Sequence, residues 1–348
     1  MSNHLVIMAG GIGSRFWPMS TPECPKQFID VLGCGRTLLQ LTADRFRGIC
    51  PAEHVWVVTS ARYASIVREQ LPEVPEENIL CEPCMRNTAP CVAYVSWKIR
   101  KRDAGANIVV AASDHVVMDV EEFRRVIRGA LDFTASREGA ILTLGMQPTR
   151  PETGYGYIEA GAAGGDGAIR PVLSFREKPD LPTAQEYVKQ PNFYWNSGIF
   201  IWKVGTIVDA LRRYQPEIAA IMDRLEPAFY TAAEQAEVDR LFPECPAISV
   251  DYAVLEKADR IYVFPASFGW SDLGTWGSLY EKLGGNGENN AVIGREVKLI
   301  ETKNCIVHVP EERRVVIQGL DGYIVAEKND TLLICRLSEE QRIKEFSK

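Results

Sequence analysis

The sequence predicts an α/β fold built on a mostly parallel sheet, followed by a small β-rich C-terminal domain. In the first half of the chain, near-continuous apolar strands alternate with amphipathic helices, as in a parallel sheet covered on both faces. A glycine-rich turn directly follows the first strand. Beyond residue 290, short β segments follow one another without long helices between them. The first two features predict the sheet and its ligand-binding edge, and the third predicts the small domain.

Hydrophobic periodicity predicts where the strands and helices of the first half begin and end. Strands are expected at 5–9, 54–59, 107–113 and 140–146, with helices near 37–48, 62–71, 88–103 and 121–137. Ligands of such sheets bind beyond the carboxyl ends of the strands. We therefore expect the glycine turn after the first strand and Asp114, after the strand at 107–113, to open onto one crevice.

The second half is less regular. Shorter strands and turns are predicted from 150 to 202, helical periodicity returns over about 204–258, and a turn-rich linker covers 284–290. We expect a larger domain of residues 1–285 and a small β-rich domain of residues 286–348 that ends in a charged helix. Because the small domain cannot bury much apolar surface alone, it should pack on the larger domain or on a second subunit.

Composition narrows the classes of ligand. The chain has 348 residues, 46% of them hydrophobic and 24% charged, which is typical of a globular protein. Its net charge of −7 argues against a general nucleic-acid or membrane surface, so an anion site would be a local basic pocket that suits a small phosphorylated ligand. The chain starts directly with a strand and has no apolar run as long as a membrane span, so we expect a cytoplasmic protein.

The glycine turn is the strongest candidate for a phosphate site. Gly10, Gly11 and Gly13 follow the first strand, where backbone N–H groups can form a concave nest for anionic oxygen. Glycine also lets a phosphate approach without a Cβ in the way. Arg15 and Lys26 add two cations nearby. This pattern predicts a polyphosphate ligand, although a glycine turn can also simply join a strand to a helix.

Two common phosphate loops are excluded by the residues themselves. A dinucleotide-binding loop needs a third glycine at the position of Phe16, and a P-loop needs Gly-Lys-Ser/Thr to close the turn. Here Arg15 is followed by Phe16 and Trp17. The turn therefore belongs to neither class.

Two aspartates could hold a divalent cation beside such a ligand. Asp114 follows a buried strand at the ligand edge, and Asp272 lies in a short segment rich in glycine and tryptophan. Together they would supply oxygen ligands of the kind that Mg²⁺ requires. Each could instead cap the helix that follows it.

A third group of residues is suited to a sugar phosphate. Glu177 can accept hydrogen bonds from sugar hydroxyls, and Lys178 can contact a phosphate. Gly154 and Tyr155 lie in a glycine turn whose amides could reach a sugar ring, and the amide of Asn196 could contact the same sugar. Taken singly, each motif would more often be an ordinary turn.

The start of the helix predicted at 88–103 is a candidate nucleobase site. Glu82 precedes Asn87 and Thr88, and a helix N-terminus behind such residues offers donors and acceptors for a base edge. Asn87 or Thr88 would also cap this helix.

In their order and spacing, these motifs closely resemble the mannose-1-phosphate guanylyltransferase branch of the sugar-phosphate nucleotidyltransferases. The resemblance runs from about residue 3 to 336, and several of its motifs are specific to the guanylyl branch. The residues that carry it are Gly10-Gly-x-Gly-x-Arg15, Pro25-Lys-Gln-Phe28, Glu82-Pro83 with Arg86-Asn-Thr-Ala-Pro90, Asp114-His115, Gly154-Tyr-Gly-Tyr157, Glu177-Lys-Pro179, Trp195-Asn-Ser-Gly198 and Trp270-Ser-Asp272.

The resemblance implies a Rossmann-like catalytic domain of the nucleotide-diphospho-sugar transferase type, a β-helix-like C-terminal domain, and a homodimer. It also implies GTP and mannose 1-phosphate as substrates, with Mg²⁺ held by Asp114 and Asp272. Arg15 would hold the pyrophosphate leaving group, and Lys26 would offset the charge that develops at the α-phosphate. The bifunctional relatives carry a further isomerase domain that this chain does not reach, so we expect only the transferase activity.

The resemblance also sorts the remaining site residues. It implies that Glu177, Asn196 and Gly154 seat the sugar, with Lys178 on its phosphate and Tyr155 in the same turn. Gly10, Gly11 and Gly13 would line the nucleotide phosphates, and Glu82, Asn87 and Thr88 would lie near guanine. Two alternatives remain open: a guanylyltransferase for another sugar 1-phosphate, such as that of a manno-heptose or fucose, and an inactive nucleotide-sugar-binding regulator.

Overall fold

The computed structural model describes four stretches of the chain, residues 2–11, 13–163, 167–284 and 287–347. Within them the chain forms two compact units. The first unit comprises residues 1–10, 43–112 and 117–270, and the second comprises residues 11–42, 113–116 and 271–348. The domain boundary predicted between residues 285 and 286 lies outside the described residues.

The first unit contains one large sheet of nine strands. These strands are β1 (Asn3–Ala9), β2 (Val55–Ser60), β3 (Ile79–Glu82), β4 (Asn107–Ala112), β5 (Ile141–Met146), β6 (Tyr157–Ala160), β7 (Arg170–Arg176), β8 (Phe193–Lys203) and β9 (Ile261–Ala266). Their order across the sheet is β3-β2-β1-β4-β8-β5-β9-β7-β6, with an additional pairing between β6 and β8.

The sheet is mixed, so the prediction of a mostly parallel sheet is wrong. The block β3-β2-β1-β4 is parallel, as predicted, but β8 runs antiparallel to both β4 and β5. The pairings of β6 and β7 are also antiparallel. The physical reason lies in β8, whose apolar residues are buried on both faces in the middle of the sheet. An apolar strand of this kind is compatible with either direction.

Helices of the first unit pack with its sheet in a large apolar core. Through the described residues the α-helices are α1 (Leu38–Arg45), α2 (Ala64–Gln70), α3 (Thr88–Arg102), α4 (Val120–Ser136), α5 (Leu181–Val188), α6 (Val204–Tyr214), α7 (Pro216–Leu225), α8 (Glu234–Leu241), α9 (Trp276–Leu283) and α10 (Ile343–Phe346). The buried face of α3, which includes Tyr94 and Trp97, joins α6 and α7 in a large apolar cluster. No helix in the described stretches is both long and apolar enough to cross a membrane.

The second unit contains the small β segments predicted for the end of the chain. They are β10 (Ala291–Ile293), β11 (Glu296–Ile300), β12 (Ile306–His308), β13 (Arg314–Gln318), β14 (Tyr323–Lys328) and β15 (Thr331–Arg336). Strands β10, β12 and β14 pair in parallel, as do β11 and β13, while β15 pairs antiparallel with β14 at the edge. Because these strands pair in parallel in the order of the chain, this part of the chain winds into short coils that stack on one another.

A single apolar cluster joins the early and late segments of the second unit. Phe16 and Val31 pack in the same cluster as Trp276, Ile306 and Ile324. The ring centroids of Phe16 and Trp276 lie 5.2 Å apart. The segment that follows the glycine turn therefore owes its burial to residues near the end of the chain.

Candidate active site

The glycine turn holds its shape through contacts inside the second unit. Gly13 has φ +64°, and a Cβ added there would lie 2.6 Å from Cβ of Lys26. Its carbonyl accepts a hydrogen bond from the amide of Phe16, and the carbonyl of Gly11 accepts one from Nε2 of Gln27 at 2.8 Å. Any residue with a side chain at position 13 would be strained by both the backbone angle and the contact.

Lys26 is the central cation of this unit. Its side chain is only 4% exposed, and Nζ lies 2.9 Å from Oδ2 of Asp114. Nζ also donates to the carbonyl oxygens of Asp272 at 2.8 Å and Leu273 at 2.9 Å. An ammonium has three protons to donate, so these three acceptors fix its position. The structure thus brings Gly13, Lys26 and Asp114 together.

Asp114 is held as a carboxylate by its cationic neighbour. Burial alone would raise the pKa of Asp114, but the charge of Lys26 and the nearby His115 ring hold that pKa below its ordinary value. The alternative that Asp114 caps the following helix is not what is seen. Asp119 caps α4 instead, accepting the amide of Glu122 at 2.9 Å.

Asp272 is joined to the Asp114 segment by a short β-bridge. The amide of Val116 donates to the carbonyl of Ser271 at 2.8 Å, and the reverse bond is 3.0 Å. Oδ1 of Asp272 accepts the amide of Gly274 at 3.0 Å. Asp272 does not cap α9, because the hydroxyl of Thr275 does so in a capping box with Ser278. Both aspartates are thereby left with no capping role for these helices.

Asp114 and Asp272 each carry oxygen ligands of the kind that Mg²⁺ accepts, and Lys26 links the Asp114 carboxylate to the Asp272 backbone. No group of three or more His, Cys, Asp or Glu side chains in the described residues could hold a metal ion. Mg²⁺, however, is commonly bound by one or two carboxylates together with substrate phosphates and water. The residues present therefore fit a cation that arrives with a phosphorylated substrate.

Arg15 lies on the same loop as Gly13. It belongs to a 3₁₀ turn, Ser14–Phe16, that follows the glycine turn, and its side chain is exposed. Phe16, by contrast, is buried and lies 5.5 Å from Nζ of Lys26. Arg15 is therefore exposed to solvent, whereas Lys26 is enclosed.

In the first unit, Glu82 ends β3 and is almost completely buried. Its Oε1 has no hydrogen-bond partner among the described residues. Its Oε2 lies 4.0 Å from the position of a Cβ added at Gly10. Burial raises the pKa of Glu82 to about 8. A buried acceptor without a partner is costly, and it marks a place where a ligand donor would be accommodated.

Asn87 and Thr88 are engaged in local structure. Oδ1 of Asn87 accepts the amide of Thr88 at 2.8 Å, and the hydroxyl of Thr88 accepts the amide of Val250 at 2.8 Å. Asn87 has φ +66° and is the N-cap of α3. The capping role foreseen for these residues is present, and any contact with a base would be an additional one.

The predicted sugar-phosphate residues form a separate group in the first unit. Nζ of Lys178 lies 2.9 Å from Oε1 of Glu177, the first residue after β7. Burial alone would lower the pKa of Lys178, but its hydrogen bond to Glu177 and the charge of that carboxylate raise it. The Glu177 side chain is largely buried, whereas Lys178 is exposed at 61%. The pair thus offers an enclosed acceptor beside an exposed cation.

Asn196 and a second glycine turn, which contains Gly154 and Gly156, both lie close to Glu177. A Cβ added at Gly156 would lie 2.5 Å from Oε2 of Glu177 and 3.4 Å from Cβ of Asn196. The carbonyl of Gly156 also accepts the amide of Asn196 at 2.8 Å. The amide of Gly154 donates to Oε1 of Glu152 at 3.0 Å, and the Tyr155 ring packs edge-on against Trp195 at 5.2 Å. Four of the predicted residues therefore lie in or against one turn.

Sequence reasoning missed residues that hold the predicted ones in place. Asn196 donates from Nδ2 to Oδ1 of Asp251 at 3.1 Å and accepts at Oδ1 from the hydroxyl of Thr143 at 3.0 Å. The carbonyls of Asp272 and Leu273 were missed as well, because backbone acceptors leave no trace in residue type. A signal for Asp251 did exist, since it is a lone carboxylate within the apolar run 248–255.

Comparison with known proteins places the chain in a family. A model of the family Nucleotidyl transferase matches residues 4–284. The chain is 37% identical to the mannose-1-phosphate guanylyltransferase of Escherichia coli K12, over 97% of this chain and 71% of that protein. It is 35% identical to the alginate biosynthesis protein AlgA of Pseudomonas syringae pv. tomato, over 98% of this chain and 70% of that one.

Solved structures share the fold of this chain. A crystal structure described as a mannose-1-phosphate geranyltransferase of Thermus thermophilus superposes with a TM-score of 0.90 at 30% identity, covering 100% of this chain and 98% of that one. A structure from Helicobacter pylori described as a mannose-6-phosphate isomerase superposes with a TM-score of 0.64 over 78% of this chain and 100% of that one. At 23% identity, the second likeness concerns the fold alone. The chain belongs to the nucleotidyl transferase family.

Proposed function

We propose that this member of the nucleotidyl transferase family transfers GMP from GTP to mannose 1-phosphate, giving GDP-mannose and pyrophosphate. The observation that carries the proposal is the cluster in which Lys26 joins Asp114 to the backbone of Asp272 beside the glycine turn. This cluster lies in a chain that aligns over 97% of its length with a mannose-1-phosphate guanylyltransferase.

The reaction is an in-line displacement at the α-phosphorus of GTP. An oxygen of the sugar phosphate forms the new bond to that phosphorus, and the bond to the bridging oxygen of the β-phosphate breaks as pyrophosphate leaves. The nucleophile is already anionic at neutral pH, so no protein base has to generate it. Catalysis then depends on positioning the reactants and on stabilising the charge that develops.

In this proposal Lys26 and Arg15 have different tasks. Lys26 is enclosed and fixed by three acceptors, so its charge is already positioned for the α-phosphate and needs little reorganisation. Arg15 is exposed on the loop that follows, and its planar guanidinium suits the leaving pyrophosphate. Gly10, Gly11 and Gly13 would let the phosphates approach the backbone closely.

Asp114 and Asp272 would hold Mg²⁺. When bound, the ion would neutralise phosphate charge and orient the oxygens of the α-phosphate. The contact with Lys26 keeps the Asp114 carboxylate ionised, which metal binding requires. The β-bridge between Val116 and Ser271 keeps the two aspartate segments in register.

Glu82 is proposed to select guanine, with Asn87 and Thr88 nearby at the start of α3. Guanine presents N1–H and an amino group at adjacent positions, and a carboxylate can accept from both. Adenine offers no such pair of donors there, so it would leave the buried acceptor unsatisfied. Because the carboxylate form is the acceptor, binding should release a proton and strengthen as pH rises towards the pKa of about 8.

The sugar phosphate is proposed to bind at Glu177, Lys178 and Asn196, beside Gly154 and Tyr155. The largely buried carboxylate of Glu177 would accept from sugar hydroxyls, and the exposed ammonium of Lys178 would contact the phosphate. The close packing of Gly156 on Glu177 leaves this carboxylate little freedom, as expected of a group that orients a sugar ring.

We further propose a homodimer formed through the small C-terminal strands. Strand β15 lies at the edge of its sheet, and two of its leucine and isoleucine side chains are more than half exposed, Leu332 at 57% and Ile334 at 54%. On the neighbouring pair of strands, Val316 is 56% exposed. Apolar side chains at a sheet edge are a common basis for pairing with a second copy.

The proposed function is tested by product analysis with a panel of sugar phosphates. Purified protein would be incubated with GTP, Mg²⁺ and one of mannose, glucose, fucose or manno-heptose 1-phosphate, and nucleotide sugars would be separated by anion-exchange chromatography. We expect GDP-mannose to form fastest. Faster turnover of fucose or manno-heptose 1-phosphate would reassign the substrate, and no product with any sugar would favour a binding protein without activity.

A further inference from the structure

One side chain beside the proposed sugar site belongs to none of the motifs discussed above. Asp251 begins a short π-helical turn, Asp251–Leu255, and it is partly buried. Turns of this kind are uncommon and occur frequently at functional sites. The neighbouring residue, Tyr252, points outward and is 45% exposed, so the turn directs the carboxylate of Asp251 and the Tyr252 ring to different surroundings.

We propose that Asp251 is a positioning residue for the sugar phosphate, acting through Asn196. Oδ1 of Asp251 accepts the Asn196 amide at 3.1 Å, while Oδ1 of Asn196 accepts from Thr143 and from the amide of Gly198. Nδ2 of Asn196 thus donates to an acceptor, and Oδ1 accepts from two donors. These contacts are compatible with only one of the two orientations of the Asn196 amide. The proposal rests on the proposed function of this site.

The charges around Asp251 support the same role. Burial and the nearby carboxylate of Glu177 raise the pKa of Asp251 to about 6, whereas Lys178 and the hydrogen bond from Asn196 act in the opposite direction. Two carboxylates, Glu177 and Asp251, therefore share the field of one cation, Lys178. Such an arrangement is unfavourable for folding by itself, and sites of this kind are commonly retained for a ligand.

Position within the fold connects Asp251 to three separate strands of the site. Thr143 lies on β5, Asn196 on β8, and Glu177 directly follows β7. Oδ1 of Asn196 is the point at which the β5 and β8 contacts converge, and Asp251 supports the opposite end of that amide. Loss of Asp251 would remove the acceptor that holds Nδ2 of Asn196, without breaking any strand pairing.

The test compares three variants of the full-length chain by steady-state kinetics and by calorimetric binding of mannose 1-phosphate. Asp251→Ala removes the acceptor, and Asp251→Asn keeps an oxygen that can accept the Asn196 amide. Asp259→Asn is the matched control, since Asp259 is exposed and pairs with Arg213. We expect Asp251→Ala to raise the KM and Kd for mannose 1-phosphate about 10- to 100-fold, with the KM for GTP changed less than about 2-fold.

Asp251→Asn should recover most of the affinity for mannose 1-phosphate, and the control should match the wild type. Unchanged affinity in a folded Asp251→Ala protein would overturn the positioning role, as would equal losses for both substrates. If Asp251→Ala does not fold, an Asp251→Asn protein whose affinities for both substrates fall equally would overturn it too. Wild-type protein that turns over no mannose 1-phosphate would instead overturn the proposed function, and this inference with it.

Discussion

At the scale of single residues, the candidate site depends on buried charged groups whose partners are fixed by geometry. Lys26 has three acceptors within 2.9 Å, two of which are backbone carbonyls. The sequence predicted Lys26 and Asp114 as site residues, because charged side chains beside a glycine turn are informative. It could not predict the carbonyls, which depend on the left-handed backbone of Leu273, at φ +44°.

Replacing Lys26 should impair turnover much more than stability. We expect Lys26→Ala to lower kcat about 100- to 1000-fold, the usual effect of removing one preorganised group that stabilises a transition state. The measurement is pyrophosphate release at saturating substrates, with circular dichroism to check the fold. Lys303→Ala is the control, because Lys303 is an exposed lysine of the same unit. A kcat within about 3-fold of the wild type would remove Lys26 from the mechanism.

Glu82 predicts a dependence of stability on pH. Its pKa rises from an ordinary value of 4.5 to about 8 in the folded protein, so the folded state holds this proton more tightly than the unfolded chain. The unfolded state then binds fewer protons between these values, and stability must fall as pH rises through that window. Glu82→Gln cannot ionise and escapes this loss.

The check is the difference in melting temperature between Glu82→Gln and the wild type, measured from about pH 5 to about pH 9. We expect the melting temperature of Glu82→Gln to increase relative to that of the wild type as pH rises. Glu53→Gln, at an exposed position, should show no such trend. A constant difference across this range would mean that Glu82 ionises normally in the folded protein.

At the scale of elements, periodicity predicted most strands and helices of the first half but not the direction of the central strand. The helix expected near 88–103 is α3, Thr88–Arg102, and the strand expected at 107–113 is β4, Asn107–Ala112. Strand β8 is apolar because it is buried between β4 and β5, and burial is the same for either direction. Strand β3, with only four residues, was missed because it is too short to show a period.

The glycine turn before β6 should be sensitive to a single methyl group. A Cβ at Gly156 would lie 2.5 Å from Oε2 of Glu177, so Gly156→Ala must displace that carboxylate. We expect the KM for mannose 1-phosphate to rise about 10-fold or more, with little change in the KM for GTP. Gly205→Ala is the matched control, since no described atom outside its own helix lies within 4 Å of the added Cβ. Equal KM values for the two variants would contradict the placement of Glu177 at the sugar.

At the scale of the whole molecule, the end of the chain supports its beginning. Residues of the segment 16–38 share an apolar cluster with residues of the segment 291–343, within one compact unit. The sequence predicted that the last strands form a small domain that packs on the larger domain or on a second subunit. It could not foresee this cluster, because contacts between segments so far apart in the chain leave no local pattern.

The proposed homodimer is tested by mass. Multi-angle light scattering of the intact chain should give twice its mass of 38.9 kDa. Leu332→Glu combined with Ile334→Glu places two charges on the exposed face of β15 and should shift the protein to the mass of one chain. Leu173→Glu, at a position of the first unit that is also more than half exposed, should leave the mass unchanged. A dimer that survives the double substitution would place the interface elsewhere.

The most direct test of the proposed function is the rate of pyrophosphate release with mannose 1-phosphate and each of GTP, ATP, UTP and dTTP, with Mg²⁺ and again with the metal chelated. We expect rapid release with GTP alone and only when Mg²⁺ is present, because Glu82 is proposed to select guanine and the two aspartates are proposed to hold the cation. Comparable release with ATP or UTP would contradict the guanine site. Release that is unaffected by chelation would contradict the metal role of Asp114 and Asp272.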